Sequence, residues 1–417
     1  MAGRTVVIGI DGVPFGIMDE LSDKGYMPNF AALKDRGNFS KMHSAVPEVS
    51  NVNWSSIVTG KNPGEHGIYG FTDLIEGTYT LSFPDRRSLR ASPFWEDREK
   101  RYVILNVPAM YPAPDINGTF ISGFVSLDLS RSVYPKEILP YLERSGYKID
   151  VDSALAHRSM DLFLEDLFDT LMKRERVCMK YLRERWDCFM VVFTGSDRLG
   201  HFLIDAYHDE SHKYHGQFLE YYGQVDRIIG DIIKETREED RIILLSDHGM
   251  EPIKKSVNLN WLLQDAGYLM MGDRPDRGYD NMASGTKAFV LDPGRVYLNH
   301  GGRYPRGEVC SPEDLLEELT ILFKDMRCGG ERVIKNVLLK EEVYHGDQID
   351  RAPDIILVPE SGYNLKGTLK YDALFEENIF RGKHTEHDAF LYCSDSELPN
   401  NPRVEDVRGL IEGGIYR

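Results

Sequence analysis

Asp197 and His201 stand four residues apart in the run Thr194-Gly-Ser-Asp197-Arg-Leu-Gly-His201. On a helical turn that spacing points a carboxylate and an imidazole the same way, so both can bind one divalent ion. A second acid–imidazole pair, Asp247-His248, precedes Gly249-Met250, and the late run Gly382-Lys-His384-Thr-Glu-His387 adds imidazoles far downstream. Neighbours on a strand diverge, but beyond a strand end Asp247 and His248 can converge in a loop. Asp11, in Gly9-Ile-Asp11-Gly12, also follows an apolar run. Alone it reads as a turn aspartate. Ser50 precedes a helical segment that Gly60 closes, which predicts Ser50 as N-cap of a helix from Asn51 onward. A hydroxyl there faces free backbone N–H groups and the positive helix end, a ready phosphate site; simple capping explains the same serine. Gly9, Gly12 and Gly16 miss the Gly-x-Gly-x-x-Gly spacing of dinucleotide sites. The histidines of Tyr207–His215 read as a solvated loop.

These residues need elements that bring them to one place. Four apolar runs, Thr5 to Ile10, Tyr102 to Leu105, Cys188 to Phe193 and Arg241 to Leu245, each lead into polar residues at their carboxyl ends. Continuous apolar runs suit strands buried on both faces of a parallel sheet. Helical patterns lie between them at about 27–35, 161–185 and 218–234. The alternation predicts a doubly wound, mostly parallel α/β sheet with helices on both faces, which binds ligands beyond its strands' carboxyl ends. Gly/Pro-rich turns from about 252 to 353 predict an inserted subdomain, with 1–251 and 354–417 forming the core.

Composition narrows the partners. The net charge of −17 repels a nucleic-acid polymer, so a small phosphate ester would need concentrated local positive charge, which bound metal supplies. Five scattered cysteines, among them Cys178 and Cys188, form no Cys-x-x-Cys pair, which argues against thiolate metal sites and a disulfide framework. With no signal-peptide chemistry at the start and no run of 18 apolar residues, a cytoplasmic location without membrane association is expected.

Taken together, the clusters resemble the alkaline phosphatase superfamily. The order is Asp11, Ser50 at a helix start, Asp197-x-x-x-His201, Asp247-His248-Gly-Met and Gly-x-His384. The likeness is to its type I phosphodiesterase/nucleotide pyrophosphatase branch, whose nucleophile segment resembles Pro47 to Trp54 and continues as Thr59-Gly-Lys-Asn-Pro63-Gly-Glu-His66-Gly-Ile68. By that resemblance Asp197, His201 and His384 hold one metal. Asp11, Asp247 and His248 hold a second, together with the Ser50 oxygen, and Ser50 is the nucleophile of a phosphoseryl mechanism. Imidazole and carboxylate donors make Zn²⁺ the first choice, with Mn²⁺ or Co²⁺ compatible. Asn53 matches a family Asn and is a candidate substrate contact, whereas Phe71 stands where the family places a phosphoryl-binding Asn. The implied activity is hydrolysis of a phosphodiester or pyrophosphate-type ester. A phosphomonoesterase or a phosphoglycerate mutase-like phosphotransferase is the enzymatic alternative, and a non-catalytic metal-stabilised binding module the other. A sulfatase would need Cys or Ser followed by Pro and Arg, which Ser50-Asn-Val-Asn-Trp54 lacks. Lys61, Arg198 and Lys383 adjoin the site residues and could meet a substrate oxygen.

Overall fold

A computed structural model describes residues 3–274, 278–377, 379–395 and 397–413. The apolar runs form an eight-stranded sheet in the order Asn38–Met42, Ala389–Cys393, Arg241–Leu245, Thr5–Ile10, Cys188–Phe193, Tyr102–Val107, Gly118–Ser122 and Val133–Tyr134. The strands from Arg241–Leu245 to Gly118–Ser122 run parallel, with antiparallel strands at both edges. Helices Pro28–Lys34, Met160–Leu182 and His215–Lys234 fall where the patterns place them.

Period-two alternation gives the central strand two buried faces. Val6, Ile8 and Ile10 share a core with Phe163, Leu167, Val225 and Ile229 of the two long helices. Gly9 points the other way, under Trp54 of helix Ser50–Thr59. The fold is therefore the expected doubly wound α/β sheet, covered by helices on both faces.

The chain divides into two compact units: Met1–Lys61, Asp85–Glu251 and Ile379–Arg417 in the first, Asn62–Pro84 and Pro252–Asn378 in the second. The second unit contains a sheet ordered Ala288–Leu291, Arg295–Leu298, Ile355–Pro359 and Ile334–Leu339. This corrects the boundary expected at 353. Ile355–Pro359 pairs antiparallel with Arg295–Leu298 and Ile334–Leu339, and Tyr363–Lys366 pairs with Lys255–Asn258, so both belong to the second unit. Tyr79 joins the same unit's core, stacked on Tyr304 at 5.7 Å. That contact assigns 62–84 to it as well.

A Cβ on Gly9 would lie 2.4 Å from Trp54 Cη2 and 3.1 Å from Val192 Cγ2. Gly9→Ala should lower the denaturant midpoint by an amount equivalent to about 1–3 kcal/mol, the usual cost of overpacking a core. An unchanged midpoint would contradict this packing.

Candidate metal centre and nucleophile

The sheet register brings the acidic residues to one edge. Ile10 pairs with Phe193 and Gly9 with Leu245, so Asp11, Asp197 and Asp247 all follow within a few residues of neighbouring strand ends. Asp11 N donates to Phe193 O at 3.0 Å, and Ser196 Oγ donates to Asp11 O at 2.6 Å. Gly12 N donates to Asp247 Oδ1 at 3.2 Å. Gly12 has φ +70° and lies so close to Asp197 that a Cβ would meet its Cβ and Oδ1 at 2.9 Å; only glycine suits that turn.

Ser50 is the first residue of its helix, one position later than a cap. The N-cap is Val49, extended at φ −118° and ψ 145°, so the expected capping role is corrected. The Ser50 hydroxyl turns instead to the acidic cluster, donating to Asp11 Oδ1 at 3.2 Å with His248 Nε2 3.1 Å away. Every residue from Ser50 to Thr59 is buried. The helix satisfies its own hydroxyls internally, Ser55 Oγ donating to Asn51 O and Thr59 Oγ1 to Ser55 O, both at 2.6 Å. Trp54 Nε1 donates to the second oxygen of Asp11 at 2.9 Å. Sequence reasoning assigned Trp54 no such role, and only its four-residue spacing from Ser50 hints at it.

The imidazoles share one orientation. Nδ1 of His201 lies 2.9 Å from Gly382 O, that of His248 3.0 Å from Gly249 O, and that of His384 2.7 Å from Glu48 O. A carbonyl only accepts, so each Nδ1 carries a proton and each Nε2 faces inward, as in metal-ligating histidines. Two of these nitrogens, His201 Nε2 and His384 Nε2, lie 3.0 Å apart, an arrangement that calls for a cation or proton between them. Asp197 Oδ1 is 3.2 Å from His384 Nε2, 3.4 Å from His201 Nε2 and 4.0 Å from His248 Nε2. Asp247 Oδ2 is 3.5 Å from His248 Nε2. Both oxygens are buried without a hydrogen-bond donor.

Asp197, His201 and His384 thus converge as one potential ligand set, and Asp11, Asp197 and His248 as a second. Asp197 borders both sets, and Asp247 approaches the second through His248, so the two sets are less separate than the resemblance implies. The donors are hard or borderline O and N atoms with open directions, the chemistry that divalent Zn²⁺, Mn²⁺ or Co²⁺ accepts.

Burial, then Asp247 and Asp197, raises Asp11 well above the usual carboxylate range. Burial and Asp197 push Asp247 up to about 8. Burial would raise Asp197 too, but His201, His384 and Arg198 outweigh it and hold it well below that range. Burial and His248 lower His384 to about 3, and burial lowers His201.

The remaining candidates are otherwise engaged. Asn53 is fully buried, with Oδ1 accepting from Ala45 N at 2.7 Å and Nδ2 donating to Val49 O at 3.2 Å. It braces the loop that delivers Ser50. Arg198 is held by Asp150 and Asp197, and Lys383 Nζ pairs with Glu251 Oε1 at 3.0 Å. Lys61 lies beyond Gly60, which closes the far end of helix Ser50–Thr59. Phe71 lies in the second unit.

The family model for type I phosphodiesterase/nucleotide pyrophosphatase matches residues 5–386. No curated protein matches the chain. Phosphonoacetate hydrolase from Sinorhizobium meliloti 1021, solved with phosphonoformate, has a similar fold at TM-score 0.66 and 19% identity, over 98% of this chain and 95% of that one. Murine ectonucleotide pyrophosphatase/phosphodiesterase 5 is similar at TM-score 0.56 and 14% identity, over 98% and 94%. Its human counterpart shows the same TM-score at 12% identity, over 98% and 93%. At these identities the likeness concerns the fold, an alkaline phosphatase-like α/β architecture.

The pKa shifts give a signed test. Asp11 and Asp247 are raised in the fold, so the stability they contribute is present at low pH and is lost as pH rises, for Asp247 toward about 8. The lowered histidines act oppositely, but only below their ordinary value of 6.5. From 6.5 to about 8 the raised carboxylates set the sign at this site, and the Tm of EDTA-treated protein should fall. Excess Zn²⁺ or Mn²⁺ should raise Tm, and raise it more at the upper end of that range, since binding displaces protons. A metal-independent Tm across the range would remove the metal reading.

Proposed function

The chain belongs to the type I phosphodiesterase/nucleotide pyrophosphatase family of phosphoric ester hydrolases, and on that premise we propose that it cleaves a phosphodiester or pyrophosphate-type ester through a phosphoseryl intermediate on Ser50. The observation that carries this is the Ser50 hydroxyl itself. It sits at the start of a buried helix, bonded to Asp11 Oδ1 and beside His248 Nε2, which in turn lies 3.5 Å from Asp247 Oδ2 and 4.0 Å from Asp197 Oδ1, two buried oxygens that lack donors.

In this reading Asp197, His201 and His384 hold one divalent ion, and Asp11, Asp247 and His248 a second that the Ser50 oxygen also meets. Bound there, such ions supply Lewis acidity, stabilising the serine alkoxide and neutralising phosphoryl oxygens. Zn²⁺ is the favoured ion, with Mn²⁺ and Co²⁺ as alternatives. The protein's part is positioning. Asp11 and Trp54 fix the approach of Ser50 Oγ at the positive end of helix Ser50–Thr59, which favours a phosphoryl group. Ser50 Oγ bonds to phosphorus as the P–O bond to the leaving group breaks, the serine proton passing to solvent and the departing oxygen taking a proton from solvent to leave as a hydroxyl. Water then attacks phosphorus as the Ser50 ester bond breaks, one of its protons restoring the Ser50 hydroxyl, and a phosphate monoester is released from a diester.

The preference for a diester rests on charge. A diester brings one negative charge to the phosphoryl centre, whereas a monoester brings a second and calls for another cation. Arg198 and Lys383, the nearby candidates, are already neutralised by Asp150, Asp197 and Glu251. Asn53 is assigned here to bracing the nucleophile loop in place of a substrate contact. No described helix is long and apolar enough to cross a membrane, and a cytoplasmic location remains part of the reading.

Ser50→Ala should cut kcat/KM by ~10³-fold or more while metal uptake persists. Mass spectrometry of a rapidly quenched reaction should find the phosphoryl group on the Ser50 peptide; near-wild-type turnover in the variant would mean that water attacks directly. Substrate class is decided by kcat/KM on bis-p-nitrophenyl phosphate and p-nitrophenyl phosphate, with Zn²⁺ and Mn²⁺ in turn. The diester should win, and a tenfold monoester advantage with both metals would overturn the preference.

A further inference from the structure

Among the described residues Asp197 is the one carboxylate that borders both potential ligand sets, and its two oxygens have different surroundings. Oδ1 faces the three imidazoles and has no hydrogen-bond donor. Oδ2 accepts from Arg198 Nη1 at 2.9 Å. Arg198 in turn donates through Nε and Nη2 to Asp150 Oδ2 at 3.0 and 2.8 Å, and its guanidinium lies over the Phe124 ring, 4.3 Å from the centroid. Asp150 Oδ1 accepts from Thr194 Oγ1 at 2.9 Å, and Thr194 Oγ1 accepts from Arg174 Nη1 at 2.9 Å. Arg174 is anchored by Ile149 O at 2.6 Å. All of these groups belong to the first unit.

We propose that Arg198, neutralised by Asp150, is a positioning residue that makes Asp197 a one-oxygen metal ligand: it holds Oδ2 and leaves only Oδ1 for metal. The inference rests on the metal reading given above. Its physical basis is twofold. A carboxylate free to rotate could swing Oδ2 inward or turn Oδ1 away from His201 and His384, whereas a bonded Oδ2 cannot turn inward without breaking a charge-assisted hydrogen bond. An uncompensated guanidinium next to a dication would also repel it. Asp150 cancels that charge, and the Thr194–Arg174 chain keeps Asp150 in place. Removing an outer partner of a metal ligand commonly weakens metal binding 10–100-fold.

Lysine lacks the fork that reaches Asp150 and Asp197 together, so Arg198→Lys tests the geometry and Asp150→Asn tests the charge. Thr194→Val removes one bond to Asp150 and is the milder variant should either of the others fail to fold. Co²⁺ affinity is measured by competition with a chromophoric chelator, and the visible d–d spectrum reports the donor arrangement. Arg198→Lys and Asp150→Asn should bind Co²⁺ about 10–100-fold more weakly, with an altered d–d spectrum. Thr194→Val should show a smaller change of the same sign. Lower Tm with wild-type Co²⁺ affinity and spectrum in the folded variants would overturn the proposal and leave the network merely structural. Wild-type protein that takes up no Co²⁺ would remove the metal reading and this inference with it.

Discussion

Three carboxylates buried within a few ångströms of one another set the terms for everything else in the first unit. Two like charges 4 Å apart repel by about 4 kcal/mol at an effective dielectric of 20, and burial adds a desolvation penalty for each. The protein meets part of this with fixed donors: Trp54 on Asp11, the Gly12 amide on Asp247 and Arg198 on Asp197. These donors leave Asp197 Oδ1 and Asp247 Oδ2 unmatched. Burial and the neighbouring Asp197 accordingly push Asp247 up to about 8.

The fold makes this concentration of charge possible because parallel strands deliver their carboxyl ends to one edge. Asp11 and Asp247 are brought together by register alone, one strand apart. Asp197 arrives on the first turn of helix Gly195–His208, and Gly12 admits it by having no side chain. His384 comes from Gly382–Thr385, which pairs with Gly249–Pro252 just after His248. That pairing stacks the His248 and His384 rings, with centroids 3.6 Å apart, and so ties the last imidazole to a strand end more than a hundred residues earlier.

How far this was legible follows from which signals are local. The four apolar runs and their polar ends are written in consecutive residues, so the sheet and its active edge could be read directly. The order of Asp, Ser and His clusters could be matched to a family, and the structure brings those residues together. The domain edges were not legible, because Ile355–Pro359 has the same apolar run as a core strand and only its long-range pairing assigns it elsewhere. Nor could the sequence separate a substrate-binding asparagine from a bracing one. Asn53 differs only in where its amide points, and that depends on Ala45 and Val49. Arg198 stood next to Asp197 in the chain, yet its partner Asp150 lies far from it in sequence and carries no motif.

The one-residue shift of Ser50 from cap to first helical position has a chemical consequence. A capping serine lends its oxygen to the N–H groups of its own first turn, the same groups that an incoming phosphoryl oxygen would need. A single hydroxyl cannot accept from the helix and also stand poised against phosphorus. With Val49 as N-cap the cap side chain offers no acceptor, and the Val52 and Asn53 N–H groups donate to the Val49 carbonyl at 3.0 Å instead. Ser50, one step further on, keeps its oxygen for Asp11 and His248. The buried helix accommodates this because Ser55 and Thr59 satisfy their hydroxyls on its own carbonyls and Asn53 holds the preceding loop. The local rule that favours serine at the cap is broken at the place where a nucleophile is wanted, which is where such exceptions are expected.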